Sequence, residues 1–139
     1  MDELSAALPF SSLGLYRLAL IVDQRRLDAA RTAGAEPAAL AELLARVSAR
    51  AGDAGDRGGA LASITEAVEH YRRLAEAGPA AYLPDLAGSL NNLSNHQSET
   101  GDRGGALASI TEAVDIRRRL AEAGPAAYYY RARCMDALL

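Results

Sequence analysis

His70 and His96 are the two histidines in the 139-residue chain, and Cys134 is its one cysteine. A tetrahedral metal site needs several Cys or His ligands at characteristic spacings, and neither histidine has one nearby. One cysteine closes no internal disulfide and builds no thiolate cluster. His96 follows Asn95 and lies two residues from both Ser94 and Ser98, which is the raw material for activating a hydroxyl. Residues two apart on a helix do not face each other, however. The sequence therefore predicts no catalytic residue, no metal and no cofactor. Gly-Asp-Arg-Gly-Gly, at 55–59 and again at 101–105, has the glycines of a phosphate-cradling loop. It lacks the Lys-Ser/Thr that such a loop carries and follows no strand. It reads as a tight turn between helices. Arg117, Arg118 and Arg119, with Arg72 and Arg73 as the matching pair, fit a solvated face near a helix C-terminus, where cations suit the dipole.

What positions these residues is a repeat. Residues 55–83 and 101–129 agree at 25 of 29 positions, differing at Glu69/Asp115, His70/Ile116, Tyr71/Arg117 and Leu83/Tyr129, with a period of 46. A period in this range marks stacked supersecondary units that bury their apolar faces on one another. His70 giving way to Ile116 in the second copy points to a partly apolar position, not a ligand.

Apolar periodicity and glycine or proline punctuation predict an all-α chain of about six helices. Ser11 and Ser12 cap a first helix from Leu13 to about Thr32, whose wide buried face takes in Leu13, Tyr16, Leu20 and Leu27, with Leu15, Ala19 and Val22 alongside. Gly34 ends it. Pro37 opens a second helix running to about Ala51, and a third follows from about Arg57 to Ala77. Gly78 stops the third with a left-handed cap. Pro79 and Pro84 compete to start the fourth; an interior proline loses a backbone bond, and alignment of the copies favours Pro84, leaving 79–83 as a turn. The fifth helix copies the third and closes at Gly124-Pro125. Residues 125–139 begin a third copy and stop halfway. The whole is one helical-repeat domain, 1–139: a capping helix at 1–34, repeats at 35–78 and 79–124, and a half repeat at 125–139.

Composition narrows the partners. A net charge of -3 with pI near 5.4 supplies no clustered positive field for nucleic acid. All 15 basic residues are arginine. The N-terminal apolar run has no basic leader and is too short to span a membrane. With one cysteine, a reducing cytoplasm is the expected compartment.

In the second copy Leu90, Leu93, Ser94, Gly101, Ala106, Ile110 and Ala113, and in the first Leu44, Val47, Ser48, Gly55, Ala60, Ile64 and Ala67, follow the large, small, Gly and Ala spacing of the tetratricopeptide repeat. The segment Ser-Leu-Asn-Asn-Leu-Ser at 89–94 resembles the kinesin-light-chain type of that repeat. The resemblance covers roughly residues 37–139 and departs from the family in its 46-residue period and in Ala51 and Gln97, which stand where the family prefers an aromatic. It implies antiparallel helical hairpins stacked as a short right-handed superhelix, with the first helix of each pair lining a concave groove. The function so implied is a non-catalytic scaffold or adapter that holds a peptide or protein segment.

Carried onto this chain, the groove residues are Gly88, Asn91, Asn92, Asn95 and Ser98, with Arg46 beside the plainer Ala41, Ala45, Ala49 and Gly52 of the first copy. Asparagine offers both a donor and an acceptor, so this face can pair with a peptide backbone. The bland alternative is that the asparagines solvate an exposed helix. A second functional reading comes from the unfinished third copy, where Asp136 takes the position of Leu90. An uncapped solenoid end needs a cover, which predicts a homodimer or a place in a longer array, with Tyr128, Ala132, Met135, Leu138 and Leu139 at the interface.

Overall fold

The computed structural model describes residues 2–124, with side chains from Ser12 onward. Five helices follow one another with no strand among the described residues: α1 (Asp2–Thr32), α2 (Pro37–Asp53), α3 (Arg57–Ala77), α4 (Pro79–Glu99) and α5 (Arg103–Glu122). Each packs on its sequence neighbours, α1 on α2, α2 on α3, α3 on α4 and α4 on α5. The sixth helix expected at 125–139 lies outside the described residues. So do Cys134 and the interface positions Tyr128, Ala132, Met135, Leu138 and Leu139.

Local chemistry accounts for the turns. Gly55 and Gly101 take φ values of 82° and 88°, a left-handed conformation that costs an L side chain. Asp56 and Asp102 then cap α3 and α5, each accepting a hydrogen bond at 2.9 Å from the backbone N–H of Gly59 and Gly105. The cap carboxylate fills the space where a Cβ on Gly59 or Gly105 would stand. The Gly-Asp-Arg-Gly-Gly loops are thus helix junctions in which a carboxylate of the loop itself occupies the helix N-terminus.

Packing within a hairpin is dominated by small residues. Ala41, Ala60, Ala67 and Ala113 are fully inaccessible, letting helix axes approach closely around Leu44, Ile64 and Leu90, the largest fully buried apolar side chains. The Ser48 hydroxyl donates to the Ala60 carbonyl at 2.7 Å, and Ser94 repeats that bond to Ala106 at 2.7 Å. A second repeated contact joins alternate helices. One guanidinium nitrogen of Arg31, Nη2, donates to both carboxylate oxygens of Glu66 at 2.8 and 2.7 Å, from α1 to α3, and Arg72 pairs Nη1 and Nη2 with the two oxygens of Glu112 at 2.8 and 2.7 Å, from α3 to α5. Such exposed pairs contribute only about 0.5 kcal/mol each, and the parallel two-nitrogen fork of Arg72 on Glu112 also fixes orientation.

Three expectations need correction. First, α4 starts at Pro79 and runs through Pro84. Pro84 removes the donor for the Ala80 carbonyl, but Ala80 is exposed and water can take that bond. Tyr82 and Leu83 pack on the core, and their burial, roughly 1.5 kcal/mol or more each, offsets a proline cost of about 3 kcal/mol. Second, Gly78 has φ -142° and ψ 76°, so it is not a left-handed cap; one residue ends α3 and begins α4 with no intervening loop. Third, α1 begins at Asp2, with Ser11 and Ser12 inside it, and its buried face is narrow. Leu27 is buried and Leu20 packs on the core, whereas Leu13, Leu15, Tyr16, Leu18, Ile21 and Val22 are exposed. Only α2 adjoins α1 in sequence, so one arc of α1 meets no helix among the described residues.

Repeat identity makes one packing effect directly measurable. Val68 on α3 is 3% exposed and its counterpart Val114 on α5 is 38% exposed; the difference is the following hairpin, which covers α3 and has no equivalent over α5 among the described residues. Val68→Ala is expected to cost about 2 kcal/mol and Val114→Ala about 0.5 kcal/mol in urea unfolding. Equal costs would mean that the two valines share one environment.

Candidate functional site

The first helices of the two hairpins, α2 and α4, line a cavity of about 350 Å³ that is open to solvent on one side. Small residues make the room: α2 contributes Ala45, Ser48, Ala49 and Gly52, and ends in Asp53. From α4 come Asn92, Asn95, His96 and Glu99, at helical steps that bring them to one side. Gly52 is close enough to His96 that an added Cβ would stand 3.3 Å from the imidazole Cε1, so a larger residue there would press on the α4 side of the cavity. Ser48 is already engaged by the Ala60 carbonyl. His96 Nδ1 lies 3.2 Å from Glu99 Oε2.

Of the predicted groove residues, Asn92 and Asn95 line this cavity, together with Ala45, Ala49 and Gly52 of the plainer copy. Gly88, Asn91, Ser98 and Ala41 do not. A stripe through 88, 91, 95 and 98 assumes a buried face centred on Leu90 and Leu93, but the buried arc also takes in Leu86, Ala87, Ser89 and Ser94, because α3 and α5 both pack on α4. The cavity stripe accordingly leans toward α2 and runs 92, 95, 96, 99. Asp53, His96 and Glu99 were missed as groove residues; the signal was present in the 92-95-96-99 spacing.

Compared with known proteins, the chain matches no family model, no curated protein and no solved structure.

Arg46 belongs elsewhere. Its guanidinium lies 3.7 Å from Asp23, a carboxylate on α1 with a residue exposure of 3%. Arg50 approaches the same group at 3.3 Å and Arg26 at 3.4 Å. Three arginines therefore converge on one buried acid and tie α1 to α2. Sequence reading did not find Asp23, whose surroundings depend on the neighbouring helix.

Ser94 donates to the Ala106 carbonyl while His96 faces Glu99, so these two are not paired as nucleophile and base. His70 lies 3.8 Å from Glu66 and is half-buried, while Ile116 at the equivalent place is buried, as a partly apolar position requires. Among the described residues no group of three or more His, Cys, Asp or Glu is placed to hold a metal ion. No helix among them is long and apolar enough to cross a membrane.

Proposed function

We propose that the chain is a tetratricopeptide-like interaction scaffold that holds a peptide or protein segment between α2 and α4 and performs no chemistry on it. The carrying observation is the cavity built by the first helices of two successive hairpins, furnished with the donors and acceptors of Asn92 and Asn95. Tetratricopeptide-like right-handed stacking is the arrangement this reading requires, and the repeated Ser48 and Ser94 bonds support it, together with the equivalent Glu66 and Glu112, each paired to an arginine two helices back. A reducing cytoplasm suits the lone cysteine. The test is selection of peptides from a displayed library on the immobilised chain, followed by binding to variants. Asn92→Ala with Asn95→Ala is expected to weaken the selected peptides at least about tenfold, since each lost hydrogen bond is worth roughly 1 kcal/mol. Asn91→Ala should leave them bound. Peptides indifferent to the first pair would place the binding site elsewhere.

A second reading, assembly, has its own support. Arg118 stands 46 residues after Arg72 and makes no ion pair among the described residues, and Leu107 beside Val114 on α5 is 67% exposed. This is the face by which α3 receives the next hairpin. With the exposed apolar stripe of α1, the stack has two open sides among the described residues. Light scattering over a wide concentration range is expected to show a mass above the 14.6 kDa monomer if copies cover these faces, and an unchanging monomer would leave the scaffold reading alone.

A further inference from the structure

We propose that the α2–α4 cavity takes a basic side chain, arginine or lysine, of the bound segment; the inference rests on the groove reading and names the chemistry of its occupant. Among the nine lining residues the fixed charges are both carboxylates, Asp53 and Glu99, and no arginine lines the cavity in a chain with 15 of them. Asp53 and Glu99 are also the last residues of α2 and α4. Two helix C-termini therefore meet here, each adding a partial negative charge of about half an electron through its macrodipole. The one arginine in the last turn of α2, Arg50, is turned away and held by Asp23, so it does not neutralise that field. Asn92 and Asn95 add side-chain carbonyls that accept from a guanidinium or ammonium, while their amide groups remain able to donate to the ligand backbone. Glu99 has His96 Nδ1 at 3.2 Å, which occupies one of its two carboxylate oxygens and leaves the other, with Asp53, to face the occupant; an acidic segment would meet like charge.

The test titrates the isotope-labelled full chain with three short peptides that alternate alanine with arginine, glutamine or glutamate. The arginine peptide is expected to shift the side-chain amide signals of Asn92 and Asn95 and the backbone signal of Gly52. Its affinity should fall as salt is added, because both carboxylates are reached by solvent. It should fall about tenfold in the Asp53→Asn, Glu99→Gln double variant, two partly exposed pairs being lost. If the glutamine or glutamate peptide binds the same residues as tightly, the basic occupant is wrong and the groove stands. If no peptide moves these signals at millimolar concentration, both fall. Movement of the same signals with protein concentration and no peptide would make a second copy the occupant and overturn a peptide ligand.

Discussion

Leu90→Ala is expected to destabilise the protein by about 3 kcal/mol, enough to remove a large part of the stability of a domain this size. Leu90 is completely inaccessible, so deleting its methyl groups forfeits both their transfer free energy and the contacts of the cavity left behind. Its position amplifies the effect. The helix that carries it, α4, is packed on α3 within the first junction and on α5 within the second hairpin, and in stacked repeats stability is carried by such nearest-neighbour interfaces. Unfolding of α3 and α5 should therefore shift together. Urea denaturation followed by circular dichroism measures it: the midpoint falls while the slope is preserved. The comparison is Leu107→Ala, a leucine 67% exposed on α5, expected within about 0.5 kcal/mol of the parent. A large effect at Leu107 with a small one at Leu90 would invert the packing described here.

The second large effect concerns the buried acid. Removing two of its partners together, Arg46→Ala with Arg50→Ala, leaves Asp23 inaccessible with Arg26 at 3.4 Å as its remaining ion pair. A buried charge stripped of partners costs about 3 kcal/mol or more. The converse change, Asp23→Ala, should cost less, about 1 kcal/mol, because the three arginine side chains are 43% to 58% exposed and rehydrate when the acid is gone. Adding Asp23→Ala to the double arginine variant should then restore most of the lost stability, a non-additivity that thermal or urea unfolding reads directly. Hydrogen exchange gives the location: protection should fall first in α1, which this cluster ties to α2. If the acid and the arginines cost the same in isolation and add without coupling, the cluster is a surface arrangement and not a buried tie.

Much of the architecture was legible in the residues because it is local. A 46-residue recurrence announces hairpins, and Gly55, Asp56, Gly101 and Asp102 specify their junctions through backbone conformation and a side-chain cap, interactions contained within a few consecutive residues. The same locality placed α2, α3 and α5 almost to the residue, whereas Asn92 and Asn95 came forward as candidates only through the resemblance to the tetratricopeptide repeat. What failed was whatever depended on a neighbour. Pro84 looked like a helix start until the core contacts of Tyr82 and Leu83 were weighed against one missing bond. Arg46 looked like a groove residue until Asp23 drew it to the other side of α2. Leu13, Leu15, Tyr16 and Val22 of α1 looked buried, yet all four are exposed, and His96, Glu99 and Asp53 became one candidate cavity lining only when two helix ends, 46 residues apart, were set side by side. A helix sequence dictates where its turns begin and which arc is apolar; only the tertiary structure decides which arc another helix covers, because that burial is a property of the pair.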